Sequence, residues 1–128
     1  MVENVPPKQA WEALNNDPDA QLVDVRTEAE WNSVGIPDLG AVGKEAIMLP
    51  WQFGPGQPNL DFLDGLRAAG LGPEHKLYFL CRSGARSLAA AETAERAGYR
   101  TAINVANGFE GGRFSAGWKS LGLPWRRP

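Results

Sequence analysis

The run Lys76-Leu77-Tyr78-Phe79-Leu80, which leads directly into the chain's single cysteine, constrains the fold most. Four of its five residues are apolar or aromatic and no polar residue alternates with them, the pattern of a strand covered on both faces. Small residues then turn the chain after Cys81. An alanine-rich helix follows from about Arg86 to Ala97 and stops at Gly98. A doubly covered strand that feeds a helix is the repeating unit of a parallel sheet.

The rest of the chain extends this pattern. Pro6 to Asn15 reads as a first helix, with proline near its start and Trp11 and Leu14 on one face. Gln21-Leu22-Val23-Asp24-Val25 reads as a short buried strand. Thr27 caps a helix through about Val34, and Glu30 completes a capping box. Ala46-Ile47-Met48-Leu49 is another strand-like run. Pro50 to Pro58 holds so much Gly and Pro that it is expected to lack regular structure. Asn59 then caps a helix from Leu60 to Ala69, ended by Gly70. Thr101-Ala102-Ile103-Asn104-Val105 is a further strand, and Trp118 is expected in a final short helix stopping near Gly122. The chain therefore reads as one α/β domain over 1–128, with a mainly parallel central sheet flanked by helices on both faces. Leu22, Val23, Val25, Leu77, Phe79, Ile103 and Val105 are its expected core. Ligands of such sheets sit beyond the carboxyl ends of the strands, where Asp24-Val25-Arg26 and Cys81-Arg82 lie.

Composition narrows the function. Apolar residues make up 43% of the 128, enough for a packed core. The net charge is −2 with acidic and basic residues interspersed, and no basic stripe points to nucleic acid. The start, Met1 to Pro7, has neither the basic residues nor the apolar core of a secretory signal. No apolar stretch reaches membrane-spanning length. A soluble, cytoplasmic domain without a membrane partner is expected. One cysteine forms no internal disulfide and suits a reducing compartment. One cysteine and one histidine build no multi-thiolate or Cys/His zinc centre, so no metal and no cofactor is expected. The histidine, His75, precedes the strand before the cysteine and reads as a surface residue, which supports no Cys–His dyad.

The chemistry is concentrated in Cys81-Arg82-Ser83-Gly84-Ala85-Arg86-Ser87. A thiol placed there lies over the positive end of a helix dipole, and successive turn N–H groups can converge on one anion. Arg82 and Arg86 add positive charge. All three effects favour thiolate over thiol. Several N–H groups from Arg82 to Ser87 are expected to aim at a partly accessible sulfur. Such a thiolate is suited to attack on, or covalent storage of, an anionic sulfur or phosphorus group. A lone cysteine is more commonly a small buried hydrophobe. The strand–Cys–turn–helix setting with two arginines favours the nucleophile. Asp24 and Arg26 read as support beside the site, Asp24 accepting backbone N–H bonds and Arg26 pairing with Glu28 or Glu30. Trp51 and Phe53 either line the pocket mouth or tuck under their own loop. Phe109 and Trp118 read as core or loop anchors, and Asn107-Gly108 as a turn.

The Cys81 to Ser87 segment resembles the active-site loop of the rhodanese family. Leu22-Val23-Asp24-Val25-Arg26, Glu30-Trp31 and Ile36-Pro37 resemble that family's first strand and the stretch after it. Val105 to Gly112, Trp118 and Gly122-Leu123-Pro124-Trp125 resemble its C-terminal segment. The resemblance implies a rhodanese-like fold and a Cys81 persulfide. The persulfide would take sulfane sulfur from a small donor such as thiosulfate and pass it to cyanide, a thiol or a protein acceptor. It casts Cys81 as nucleophile and Arg82, Ser83, Gly84, Ala85, Arg86 and Ser87 as the substrate cradle. Many members carry Gly-His-Ile-Pro-Gly-Ala where this chain reads Val34-Gly35-Ile36-Pro37-Asp38-Leu39-Gly40-Ala41, without the histidine. Two rivals use the same type of loop. A relay or binding module would hold a persulfide for a particular partner. A cysteine phosphatase or arsenate reductase would place its arginine after five intervening residues, whereas four separate Cys81 from Arg86 here.

Overall fold

The computed structural model describes residues 2–128. In chain order the elements are β1 (Glu3–Val5), α1 (Pro7–Asn16), β2 (Ala20–Asp24), α2 (Glu28–Val34), β3 (Ile36–Pro37), β4 (Ile47–Met48), β5 (Gln52–Gly54) and β6 (Gln57–Pro58). There follow α3 (Phe62–Ala68), β7 (Lys76–Leu80), α4 (Ala85–Arg96), β8 (Thr101–Val105) and β9 (Trp125–Arg126). Five strands form one sheet in the order β1-β8-β7-β2-β4, and every neighbouring pair is parallel.

Side chains of a strand point alternately to the two faces, and β7 supplies both. Leu77 and Phe79 pack with Phe62 and Leu66 of α3 and Ala90, Ala91 and Ala94 of α4. Tyr78 and Leu80 pack on the other face with Ala10 and Leu14 of α1, Phe109 and Trp118. Each fully buried large apolar side chain contributes about 1.5–3 kcal/mol, so the central strands anchor the domain. The alanines of α4 let that helix lie close on the sheet. All seven expected core residues are buried.

Helix α2 has the expected capping box: Glu30 N–H donates to Thr27 Oγ1 at 3.3 Å, and Thr27 N–H donates to the Glu30 carboxylate at 3.2 Å.

The structure departs from the sequence expectations where pairing is non-local. The Pro50–Pro58 stretch contains a small hairpin of β5 and β6, because Gly56 (φ 71°) supplies the left-handed turn residue between two short strands. Asn59 does not cap a helix at Leu60. Its side chain donates to the Pro50 carbonyl (2.9 Å) and accepts from Asp61 N–H (3.1 Å), and α3 begins at Phe62. Trp118 lies in consecutive turns rather than a helix, held by its indole N–H on the Pro124 carbonyl at 2.7 Å. Strand β1 and the β3–β9 pair are short and were not expected. His75 is half-buried, its Nδ1 accepting from Gly72 N–H at 2.9 Å, so it fastens a turn rather than standing free on the surface.

Candidate active site

Cys81 directly follows β7, in the turn before α4. It continues the period-two pattern of Leu77 and Phe79, so its thiol falls on the face covered by α4. The sulfur accepts from Gly84 N–H at 3.1 Å and lies 3.2 Å from the Ser87 hydroxyl. Gly84 makes this turn possible. Its φ is 115°, and a Cβ built there would come 2.2 Å from the Ala106 carbonyl oxygen.

The loop's remaining donors are open. Helix α4 starts at Ala85, and Gly84 at its N-cap supplies no side-chain cap. Among the described residues no acceptor meets the N–H groups of Arg82, Ser83, Ala85, Arg86 or Ser87. The carbonyls of the loop, by contrast, are engaged from outside it. Phe109 N–H donates to the Cys81 carbonyl (2.8 Å) and Glu110 N–H to the Arg82 carbonyl (3.0 Å). Asn104 Nδ2 donates to the Gly84 carbonyl at 3.2 Å. Engaging the carbonyls fixes the peptide planes, and the site presents donors rather than acceptors. Gly108 permits the close approach: a Cβ there would lie 2.5 Å from the Arg82 carbonyl oxygen.

Two expectations about the sulfur need correction. It carries one backbone N–H, not several, and Cys81 is only 1% exposed. The thiol continues the inward-facing row of β7 one residue past its end, and the first turn of α4 closes over it.

The two arginines are also not free. Arg86 makes a two-pronged ion pair with Glu30, Nη1 to Oε1 at 2.7 Å and Nη2 to Oε2 at 2.9 Å. Burial works against the Glu30 charge, but the Arg86 and Thr27 hydrogen bonds outweigh it and hold the carboxyl below its usual range. The Glu30 hydrogen bonds and charge in turn raise Arg86 above its usual range against the cost of its burial. Arg82 pairs more loosely with Glu110 at 3.4 Å. Glu30 is therefore the partner of Arg86 and not of Arg26.

Arg26 instead pairs with Asp24, both fully buried, through Nη2 to Oδ2 at 2.6 Å and Nε to Oδ1 at 3.0 Å. Arg26 N–H also donates to Asp24 Oδ1 at 3.1 Å, Arg26 Nη2 donates to the Gly35 carbonyl at 3.0 Å, and the guanidinium stacks 4.2 Å from the Phe109 ring centroid. These contacts offset much of the cost of burying the pair, and Arg26 Nη1 is left buried without a hydrogen-bond partner among the described residues. Neither residue bonds Cys81; Arg26 stacks on Phe109, whose N–H holds the Cys81 carbonyl.

A cavity of about 630 Å³ opens over the loop, lined among others by Glu30, Phe53, Pro55, Arg82, Arg86 and Glu110. Phe53 is 61% exposed at its edge, while Trp51 turns inward and meets Phe62 edge-on at 5.1 Å. Each aromatic thus takes one of the two expected positions. Sequence reasoning passed over Glu110, Gly108 and Asn104. The Asn107-Gly108 turn and the polar Asn104 inside an apolar strand were the available signals. No cluster of metal-ligating side chains occurs among the described residues, and no helix is long and apolar enough to cross a membrane.

Comparison with known proteins gives consistent matches. The family described as STR4 middle domain matches residues 3–128. An uncharacterised Rickettsia conorii protein is 40% identical, with 98% of each chain covered. Rhodanese-like domain-containing protein 4, chloroplastic, of Arabidopsis thaliana is 33% identical over 94% of this chain and 25% of that protein. The crystal structure of Rv0390 from M. tuberculosis superposes with a TM-score of 0.90 at 45% identity, covering 100% of this chain and 99% of that one. The solution structure of a polysulfide-sulfur transferase homodimer from Wolinella succinogenes gives 0.75 at 26% identity, covering 98% of this chain and 78% of that one.

Proposed function

The chain belongs to the rhodanese-like family, with a sulfurtransferase-type fold, and from that membership we propose that it moves sulfane sulfur through a Cys81 persulfide. A small donor such as thiosulfate loads the cysteine, and a nucleophile such as cyanide or a thiol unloads it. One observation carries the reading. The loop that follows Cys81 offers unpaired N–H donors at the uncapped start of α4, while the hydrogen bonds its neighbours make to its backbone fall on its carbonyls. A terminal persulfide sulfur bears negative charge and is suited to that ring of donors. The cradle spans four residues between Cys81 and Arg86, which fits a sulfur atom better than a phosphate. In this reading Arg82, Ser83, Gly84, Ala85, Arg86 and Ser87 form the substrate cradle, and Asp24 and Arg26 support it through Phe109.

With one cysteine, no internal disulfide can resolve the persulfide, which waits for an outside acceptor. Ping-pong kinetics are expected. Mass spectrometry after thiosulfate should show one added sulfur on Cys81, removed by cyanide or a small thiol and absent in Cys81→Ser. An unmodified Cys81 together with turnover of an aryl phosphate would replace this reading by a phosphatase.

A second reading is favoured by the near-complete enclosure of the sulfur and by the pairing of both arginines with carboxylates. The domain then serves as a sulfur relay whose loop opens for a protein partner, or for a polysulfide of the kind handled by the W. succinogenes neighbour. Turnover with thiosulfate alone would be slow, and turnover with polysulfide or a partner persulfide fast.

A further inference from the structure

The hydrogen bonds behind Cys81 fix where the Ser87 proton lies. Ser87 Oγ is 2.6 Å from Asn104 Oδ1 and 3.2 Å from the Cys81 sulfur, and a hydroxyl has one proton for both. The orientation of Asn104 decides between them. Its Nδ2 faces two acceptors, Asn4 Oδ1 at 2.9 Å and the Gly84 carbonyl at 3.2 Å, so its oxygen must face Ser87. The short bond therefore takes the Ser87 proton, and Ser87 turns a lone pair toward sulfur. That lone pair accepts S–H from a thiol and repels a thiolate.

The charges around the sulfur do not override this arrangement. Arg86 on α4 is bound to Glu30, Arg82 in the loop to Glu110, and Arg26 after β2 to Asp24. Each guanidinium already faces a carboxylate, so the hydrogen bonds of Gly84 and Ser87 weigh heavily in the state of the thiol. For a thiolate to gain a second donor, Ser87 must turn its proton from Asn104 to sulfur. The buried Asn104 oxygen then loses its partner.

We propose that Asn104, acting through Ser87, is a positioning residue that holds Cys81 as the thiol until a sulfur donor arrives. This rests on the sulfur-transfer reading and adds to it a control on when the nucleophile forms. With thiosulfate the loading step balances as Cys81–SH + S₂O₃²⁻ giving Cys81–S–S⁻ + HSO₃⁻. The donor's S–S bond breaks, the Cys81–S bond forms, and the cysteine proton leaves on the departing sulfite. In the loaded form the charge sits on the outer sulfur, within the loop donors. The inner sulfur is neutral, so Ser87 keeps its bond to Asn104.

The test is the rate of Cys81 alkylation by iodoacetamide in the full chain at neutral pH, for the native protein, Asn104→Ala, Ser87→Ala and the double variant. Asn104→Ala should react faster, by about fivefold or more, because Ser87 is free to donate to the thiolate. In the Ser87→Ala background the same substitution should have no effect. Acceleration that persists without Ser87 would show mere loosening of the loop and overturn the proposal, as would an unchanged or slower rate in folded Asn104→Ala. If Asn104→Ala does not fold, Asn104→Val suits strand β8, offers Ser87 no acceptor and is read in the same cycle, with the same outcomes deciding. Alkylation needs no sulfur transfer, so this result stands apart from the persulfide mass measurement that tests the transferase reading.

Discussion

Arg86 turns both terminal nitrogens onto the Glu30 carboxylate, at 2.7 and 2.9 Å, and so ties the first turn of α4 to α2. The cation expected to receive a substrate anion is thereby neutralised at rest. An anionic donor must compete with Glu30 for it.

Substituting Glu30→Gln should release Arg86 for the donor. The KM for thiosulfate is expected to fall several-fold with kcat little changed, since the gain is in binding. Arg86→Ala should act in the opposite direction, lowering kcat/KM by about five- to 150-fold, the worth of one charge-assisted contact of about 1–3 kcal/mol. Steady-state kinetics on the two variants checks both signs. Equal thiosulfate KM in the native and Glu30→Gln proteins would mean the donor never meets Arg86.

Glu30 also gives stability a dependence on acid. Its carboxyl is held below the ordinary value of 4.5 in the folded chain, so the unfolded chain binds the proton more readily. This stabilisation is fully present above that ordinary value and is lost as pH falls through the lower, folded value. Glu30→Gln should flatten the fall in denaturation midpoint over that window. Part of the slope should remain, because Asp17 is also held low by its hydrogen bond to Lys76 at the far end of β7.

Gly84→Ala should disrupt the loop outright. The new Cβ would meet the Ala106 carbonyl oxygen at 2.2 Å, and φ 115° is strained for any L side chain. Persulfide formation should drop by more than tenfold, about 1.4 kcal/mol or more in the barrier, even where circular dichroism shows a folded chain. Retained loading in a folded Gly84→Ala protein would show that the cradle does not depend on the left-handed turn at Gly84.

Asp24→Ala should cost about 3–5 kcal/mol in urea unfolding, because it strands the fully buried Arg26 charge. A loss under about 1 kcal/mol would mean that Gly35 and the Phe109 ring alone suffice for the guanidinium. Conversion of both residues to apolar ones of similar volume should recover part of the loss, although the Phe109 contact that steadies the Cys81 carbonyl would change.

The sequence by itself determined the layered architecture and the position of the thiol. The apolar runs at Leu22–Val25 and Leu77–Leu80, the Thr27–Glu30 capping box and the alanines of α4 are local signals. Each acts through its own few residues: strand periodicity, a reciprocal cap, close packing. Placing Cys81 between a strand and a helix needs nothing more. The tertiary structure alone decided which charge meets which. Glu30 stood within reach of Arg26 in sequence and pairs with Arg86, 56 residues away. The Pro-rich stretch became a hairpin, and the C-terminal turns with β9 closed on β3, through contacts that leave little local mark. Asn104 shows the limit most clearly. Its face of β8 follows from alternation with Ile103 and Val105. That it meets Ser87 and Asn4 follows only from the parallel register that sets β8 between β7 and β1. Hydrogen-bond direction at the sulfur is then a property of the assembled sheet, because one hydroxyl proton is shared among residues that no stretch of sequence brings together.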